Sequence, residues 1–186
     1  MRIRKATIQD IESILAIFEN ARRFMCESGN PNQWTNGYPS RDVALSDMSN
    51  GNLYVIEENA GDDTAAAVGV GDEATEATLS DTATSSSIVA VFTFIIGEEP
   101  TYKVIENGSW NYDLPYGTIH RIASSGTARN ITKVCFEYCL SQIDYLRIDT
   151  HKDNLPMQNA IKRFGFKECG IIYVRNGERI AFDYKA

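Results

Sequence analysis

The stretch RIDTHKDNLPMQNAIKRFGF, residues 147–166, decides the fold of this chain. It begins inside a predicted strand over Leu146–Thr150, which ends where polar residues and a loop begin. A short helix follows over Pro156–Phe164, with Asp153 or Asn154 as its cap and the proline in its first turn. The Gly-Phe pair that closes the stretch starts the next strand. The pattern therefore predicts strand, short helix and strand in close succession.

A second strand and helix lie directly upstream of this stretch. Gly117–Ser124 is predicted as a strand, Gly126 marks the turn after it, and Asn130–Ile143 reads as a helix. A strand that feeds a helix through a tight turn points free backbone amides at one spot, and the helix N-terminus adds positive potential there. Residues Thr127 to Lys133 are therefore placed to hold a pyrophosphate.

The rest of the chain is read from hydrophobic periodicity and turn residues. The remaining predicted elements are a strand over Arg2–Lys5, a helix from Thr7 to about Met25, a loop over 28–39, a helix from Ser40 to about Ser49, strands over Leu53–Glu57 and Ser87–Gly97, a connection over Glu98–Pro115, a type I′ turn at Asn176-Gly177 and a last strand over Arg179–Lys185. This order predicts an α/β fold: one domain over 1–186, with a mixed, mostly antiparallel central sheet and helices on both faces.

The segment over 60–87 differs in composition from the rest of the chain. Gly, Ala, Thr, Ser, Asp and Glu dominate it, and it contains no aromatic residue. Such a segment cannot bury enough apolar surface to offset the entropy lost on ordering. We predict a low-complexity loop insertion between two paired strands, either a mobile loop or an arm that binds a partner.

Composition and charge exclude several classes of function. The net charge of −7 argues against a nucleic-acid partner, which usually requires a basic face. No apolar run reaches the ~18 residues of a membrane span, and the N-terminus lacks the apolar core of a signal peptide. The expected location is therefore the cytoplasm, with no membrane partner. None of the four cysteines forms a CxxC pair, so no structural metal site is predicted.

The two motifs together resemble the GNAT superfamily of N-acetyltransferases. The superfamily's motif of strand, pyrophosphate loop and helix is similar to His120–Leu140. Its second motif, an Asn followed twelve residues later by the Phe of a Gly-Phe pair, is similar to Asn154 and Gly165-Phe166. The resemblance covers the whole element order. It implies the acyl-CoA N-acyltransferase fold, acetyl-CoA as co-substrate and a small-molecule or peptide amine as acceptor.

The resemblance also implies the residues that contact the cofactor. The main chain of Arg121–Ser124 is expected to pair with the pantetheine arm, and an amide near Ile122 or Ala123 to polarise the thioester carbonyl. The loop over Thr127–Thr132 is expected to wrap the pyrophosphate, and the side chain of Asn154 to reach the pantetheine. The full expected set is Ile122, Ala123, Ser124, Arg129, Asn130, Ile131, Thr132, Lys133, Asn154 and Met157.

The pyrophosphate loop departs from the family pattern of Gln/Arg-x-x-Gly-x-Gly/Ala. Asn130 replaces the first glycine, and asparagine tolerates left-handed backbone better than most residues. Thr132 replaces the second glycine, and its hydroxyl is able to donate to a phosphate. Arg129 and Lys133 either supply charge to the phosphates or are ordinary solvated residues.

A second departure concerns the general acid. Many members of the superfamily have a tyrosine seven residues after the asparagine, where this chain has Ile161. A thiolate is a tolerable leaving group, so loss of the acid slows the reaction without forbidding it. Tyr173 on the next strand either replaces this acid or is a packed strand residue.

The acceptor amine must lose a proton to a base whose pKa lies near neutrality. His120 is the candidate, although it also fits a half-buried strand residue with one satisfied nitrogen. Asp149 and His151 lie at the carboxyl end of the central strand, where α/β sheets place ligands. Asp149 is expected to cap or brace the site, and attack through water also stays open. No Ser-His-Asp or Cys-His arrangement is present, so no acyl-enzyme is expected.

The acceptor is expected to meet the loop that carries Trp34 and Tyr38, which either line an apolar slot or pin the loop to the core. Two functions follow from the sequence: an active N-acetyltransferase that transfers acetyl directly to an amine, or a CoA-binding or ligand-binding module without turnover. The first is the expected function, and the altered loop and Ile161 are the support for the second. The final hairpin offers an edge for homodimer pairing.

Overall fold

The computed structural model describes residues 1–59 and 86–186. Strands and helices alternate along these residues much as the sequence predicts. The strands are β1 (Arg2–Lys5), β2 (Leu53–Asn59), β3 (Ser86–Ile96), β4 (Gly117–Ser124), β5 (Tyr145–Thr150), β6 (Lys167–Val174) and β7 (Gly177–Lys185). The helices are α1 (Ile11–Glu27), α2 (Arg41–Ser49), α3 (Ile131–Leu140) and α4 (Leu155–Phe164), with short 3₁₀ turns at Ile8–Asp10 and Pro100–Tyr102.

The strands form one sheet in the order β1-β2-β3-β4-β5-β7-β6. Within the described part of the chain, β4 and β5 are the one parallel pair, and every other neighbouring pair is antiparallel. Helix α3 makes the crossover that a parallel pair requires. The prediction of a mixed, mostly antiparallel sheet is confirmed.

Helices cover both faces of the sheet, as predicted. Helices α3 and α4 pack on one face, where buried Phe136 and Ile161 meet Ile119 and Ile148 of the central strands. Helices α1 and α2 cover the first half of the other face, where Phe18 lies in the cluster beneath them. The 97–116 connection covers the second half, with buried Tyr102 packed near β6 and β7. None of the described helices is long and apolar enough to cross a membrane.

Three local predictions need correction. Helix α3 ends at Leu140, where Ser141 and Gln142 form a turn, so it is shorter than predicted. The type I′ turn is wrong: Val174 pairs with Gly177, so Arg175 and Asn176 are the central residues, and neither has a positive φ. Residues 60–85 of the predicted 60–87 insertion lie outside the described residues, and its last two positions belong to β3.

Candidate active site

The central parallel pair diverges and opens a cleft in the middle of the sheet. Pairing between β4 and β5 covers Gly117–Ile119 and Leu146–Ile148 and stops there. From His120 onward, the edge of β4 that faces β5 has no strand partner within the described residues. The cleft is a cavity of about 1010 Å³ lined by all the helices, both strands and the loop after α1.

A bulge in β4 stands at the point of divergence. Val91 pairs with Ala123 and Thr93 with His120, so β4 has one residue more than β3 over this stretch. The bulge includes Arg121, whose φ is +54°. The guanidinium of Arg121 donates two 2.8 Å hydrogen bonds to the carboxylate of Asp47 on α2. A satisfied buried ion pair thus fixes a strained backbone at the edge that lines the cleft.

The turn between β4 and α3 presents a run of free amides. Among the described residues, no acceptor takes a hydrogen bond from the backbone N–H of any residue from 128 to 133. Asn130 precedes the helix with φ 60° and ψ 20°, a left-handed conformation that asparagine tolerates better than most residues. The helix N-terminus and these amides lie together in a candidate anion cradle, and their binding of a pyrophosphate stays a prediction.

The predicted cofactor residues fall into two groups around this cradle. One group lines the cleft: Ile122, Ala123, Ser124, Ile131, Thr132, Asn154 and Met157. The other group, Arg129, Asn130 and Lys133, is outside the lining. Arg129 is exposed, and the ammonium of Lys133 lies 3.6 Å from Glu137 on its own helix. Neither of these two cations is therefore part of the cleft wall.

A different cation, Arg23 of α1, lines the cleft beside the cradle. Its guanidinium hydrogen-bonds to the side-chain oxygen of Asn20, one turn earlier. Asn20 in turn donates from Nδ2 to the backbone oxygen of Ser125, at 3.1 Å. Two hydrogen bonds thus connect Arg23 to the loop between β4 and α3.

Asn154 is tied down at both ends of its amide. Its oxygen accepts from the backbone N–H of Met157 at 3.2 Å, which caps α4 and decides between the two predicted caps. Its Nδ2 donates to Oε1 of Gln33 at 2.9 Å, across the cleft. One N–H of Asn154 is left for a ligand. Thr150, also in the lining, has a buried hydroxyl with no partner among the described residues.

His120 and Glu99 form a close pair in the cleft lining. Nε2 of His120 lies 3.1 Å from Oε2 of Glu99, and both side chains are largely buried. This bond from His120 is the main cause that lowers the pKa of Glu99 to about 2, with the backbone and hydroxyl of Thr101 contributing. Glu99 is therefore an ionised acceptor at neutral pH. No spacing in the sequence links Glu99 to His120.

Asp149 lies on the other side of the imidazole. Its Oδ1 is 3.9 Å from Nδ1 of His120 and accepts a 2.7 Å hydrogen bond from the hydroxyl of buried Tyr102. Its Oδ2 lies 3.8 Å from Nε of Arg179. Burial and the charge of Asp149 raise the pKa of the Tyr102 phenol well above its usual value, so the phenol stays protonated and donates.

These neighbours define which nitrogen of His120 is basic. An ionised Glu99 only accepts hydrogen bonds. When the imidazole is neutral, its proton is therefore on Nε2, which donates to Glu99. Nδ1 then carries the lone pair and faces Asp149 across a gap too long for a direct hydrogen bond. A donor held in this gap would reach both atoms, and the imidazolium formed by proton uptake would lie between two carboxylates.

Tyr173 lies far from this arrangement, which corrects the expectation that it serves as the acid. It is 46% exposed, is absent from the cleft lining, and donates to Glu106 at 3.0 Å. Ile161 is fully buried in the core and takes no part in the cleft lining. Neither position supplies an acid to the cleft.

Trp34 and Tyr38 both line the cleft, as predicted, and also hold the loop in place. Trp34 meets Phe18 edge-on at 5.7 Å, which anchors it to the core. The hydroxyl of Tyr38 accepts from Arg121 at 2.9 Å. Both side chains therefore belong to the cleft wall and to the packing that holds the loop, and their contact with an acceptor stays a prediction.

Neither a scan against protein-family models nor a search of curated proteins gives a match for this sequence. Solved structures do match it over the whole described architecture. An acetyltransferase of the GNAT family from Streptococcus agalactiae shares 25% identity, with a TM-score of 0.78 over 100% of this chain and 95% of its own.

More distant neighbours share the fold. A GNAT-family acetyltransferase from Listeria monocytogenes is 16% identical, with a TM-score of 0.64 over 100% of this chain and 94% of its own. RimJ of Mycobacterium smegmatis, in complex with CoA-disulfide, is also 16% identical, with a TM-score of 0.54 over 99% of this chain and 81% of its own.

Proposed function

Because the chain belongs to the GNAT superfamily, we propose that it is an acetyl-CoA-dependent N-acetyltransferase that transfers acetyl directly to an amine. The observation that carries this proposal is the position of His120. Its basic nitrogen lies at the mouth of the β4–β5 divergence, next to the free strand edge that fits a thioester arm. A base and a cofactor groove therefore meet at one point.

The cofactor is proposed to lie along the divergence. The free edge of β4 beyond His120 supplies main-chain groups for the pantetheine arm, and the amide of Ile122 or Ala123 is proposed to donate to the thioester carbonyl. The amides of 128–133 and the α3 N-terminus hold the diphosphate. Arg23 supplies the cation, since it lines the cleft and Arg129 and Lys133 do not.

The reaction is then a single displacement. The amine nitrogen attacks the thioester carbon, a C–N bond forms, and the C–S bond breaks to release the CoA thiolate. The proton lost by the amine passes to Nδ1 of His120. Glu99 and Asp149 stabilise the resulting imidazolium, and general-base help of this kind contributes about 10²- to 10⁴-fold in rate.

A second function stays in view because of one observation. The position that holds an acid in many members of the superfamily is Ile161, which is fully buried. A module that binds CoA without turnover would retain the cleft and lose the chemistry. Its difference from the enzyme is measurable as thiol release.

The test is to mix the protein with acetyl-CoA and a panel of primary amines, and to follow free thiol. The proposal expects thiol release above the buffer rate for some amines, with an equal amount of N-acetylated amine by mass spectrometry. Tight acetyl-CoA binding with no thiol release across a broad panel would favour the binding module instead.

A further inference from the structure

We propose that the acceptor is a primary amine that enters the cleft as a cation, has an apolar or aromatic body, and carries no carboxylate on the carbon next to the amine. This inference rests on the proposed acetyl transfer and narrows its substrate class. It concerns the acceptor half of the cleft, defined by Trp34, Tyr38, Glu99, His120, Asp149 and Arg179.

The charges in this half favour an ammonium group. Glu99 and Asp149 flank His120, and their side chains are 15% and 12% exposed. The ammonium nitrogen of a substrate placed in the 3.9 Å gap between His120 Nδ1 and Asp149 Oδ1 is able to hydrogen-bond to both atoms. Two carboxylates thus attract the cation, which loses one proton to water on binding; the imidazole takes the second proton as the C–N bond forms.

The guanidinium groups near this point already have acidic partners. Arg121 is held by both oxygens of Asp47 and by Tyr38. Arg179 lies near Asp149 and donates to backbone oxygens, including those of Glu178 at 2.9 Å and Gln33 at 3.4 Å. A substrate carboxylate next to the amine would therefore face Glu99 and Asp149, and it would have to compete with Asp149 for the charge of Arg179. Like-charge repulsion of this kind is a strong means of rejecting a ligand.

The other two guanidinium groups of the lining, Arg23 and Arg175, belong to exposed residues at the rim. A carboxylate that reached either of them would have to be separated from the amine by the length of the acceptor body. Arg23 and Arg175 therefore do not help the cleft to accept a carboxylate on the carbon next to the amine.

The walls of the acceptor half favour an apolar body. Trp34 and Tyr38 lie edge to face with centroids 6.2 Å apart, and both line the cleft. Phe24, at the end of α1, lines the same cleft and is 56% exposed, so its ring is available to a ligand. Aromatic walls with a charged end are typical of sites for amines with an aryl or alkyl body.

Three matched amines test this inference: phenethylamine, phenylalanine and phenylalaninamide. The last two differ from the first by a carboxylate and by a neutral amide on the same carbon. We expect kcat/KM for phenethylamine and phenylalaninamide to exceed that for phenylalanine by at least about 10-fold. Equal or faster acetylation of phenylalanine would overturn the proposal, as would failure of all three amines.

Acetyl-CoA binding, measured by calorimetry on the same sample, separates this result from the proposed function. Binding without acetylation of these amines would reject the acceptor class and leave the cofactor assignment standing. Absence of binding would reject both.

A pair of variants tests the preference between two amines, a ratio that does not depend on the overall activity of each variant. Glu99→Gln removes one of the two flanking charges, so we expect the preference for phenethylamine over phenylalanine to fall by about 3-fold or more, even as both rates drop. Glu98→Gln is the matched control, because Glu98 pairs with Lys103 outside this cleft. An unchanged preference in Glu99→Gln would contradict the proposal.

Discussion

Nδ1 of His120 faces Oδ1 of Asp149 across 3.9 Å, while Nε2 of the same ring lies 3.1 Å from the carboxylate of Glu99. These two distances indicate that the two ring nitrogens have different functions. The short contact orients the ring and keeps the proton on Nε2, and the longer gap leaves a lone pair beside a second carboxylate. A proton taken up at Nδ1 is therefore stabilised from both sides.

Replacement of His120 by glutamine tests the assigned base. We expect kcat/KM for the best amine to fall by at least about 100-fold, because the variant has no group able to take the proton. The Kd for acetyl-CoA should stay within a few-fold, since the side chain is on the acceptor side of the strand edge. His151→Gln is the control: His151 is outside the cleft lining, so its loss should leave kcat/KM nearly unchanged. Full activity in His120→Gln would remove His120 from the mechanism.

Tyr102→Phe tests the positioning of Asp149. The phenol donates to Oδ1 of Asp149, so its loss leaves more negative charge facing Nδ1 of His120. We expect kcat/KM to drop by about 3- to 10-fold and its acidic limb to move to higher pH, because the imidazolium becomes more stable. A purely structural effect would lower activity without moving the pH profile. Tyr112→Phe, at an exposed ring, serves as the control.

Arg23→Gln tests the proposed diphosphate contact. We expect the Kd for acetyl-CoA to rise by about 5- to 50-fold, as one charge-assisted hydrogen bond is lost. The Kd for S-acetylpantetheine, which lacks the diphosphate, should not change. Arg129→Gln is the matched control, since the side chain of Arg129 does not line the cleft. A larger loss in Arg129→Gln than in Arg23→Gln would reverse the assignment.

Asp10→Asn tests an ion pair that holds the N-terminal strand to α1. Hydrogen bonds from Arg4, at 2.7 and 2.9 Å, are the main cause that lowers the pKa of Asp10 from 3.8 to about 2. Since the folded pKa lies below the unfolded one, the stabilisation is complete above about pH 4 and is lost as the pH falls toward 2.

We therefore expect Asp10→Asn to lower the free energy of unfolding by about 2 kcal/mol at pH 7, measured by urea denaturation. The gap to the wild type should narrow as the pH falls from 4 to 2. Glu12→Gln is the control: it removes a pairing of Glu12 with exposed Arg41, and we expect a change within about 0.5 kcal/mol. Equal losses in the two variants would contradict the buried-pair account.

Local sequence signals predicted most of the fold. Asn154, Pro156 and Gly165 mark a capped helix by residue type alone, and the structure has that helix from Leu155 to Phe164. At the last hairpin, the Asn-Gly dipeptide predicts a turn with Asn176 and Gly177 at its centre, whereas Arg175 and Asn176 are the central residues. Strand pairing puts the glycine one position later, where it alone takes a positive φ of +100°.

The candidate site was only partly predictable, because its members are brought together by tertiary contacts. His120 and Asp149 belong to strands with recognisable patterns, so they were found. Glu99 and Tyr102 lie in a connection with no periodicity, and they reach the imidazole only because that connection folds back over β5. Arg23 is an ordinary surface residue of α1 by sequence. Its position beside the loop after β4 depends on Asn20, which hydrogen-bonds to Ser125.

A calorimetric titration of the protein with acetyl-CoA tests the central claim most directly, because the enzyme and the module without turnover both depend on the cofactor cleft. The account predicts saturable binding at one site per chain, weakened by Arg23→Gln and unaffected by Arg129→Gln. An absence of heat and of any shift in melting temperature at millimolar acetyl-CoA would contradict the cofactor assignment, and the proposed function with it.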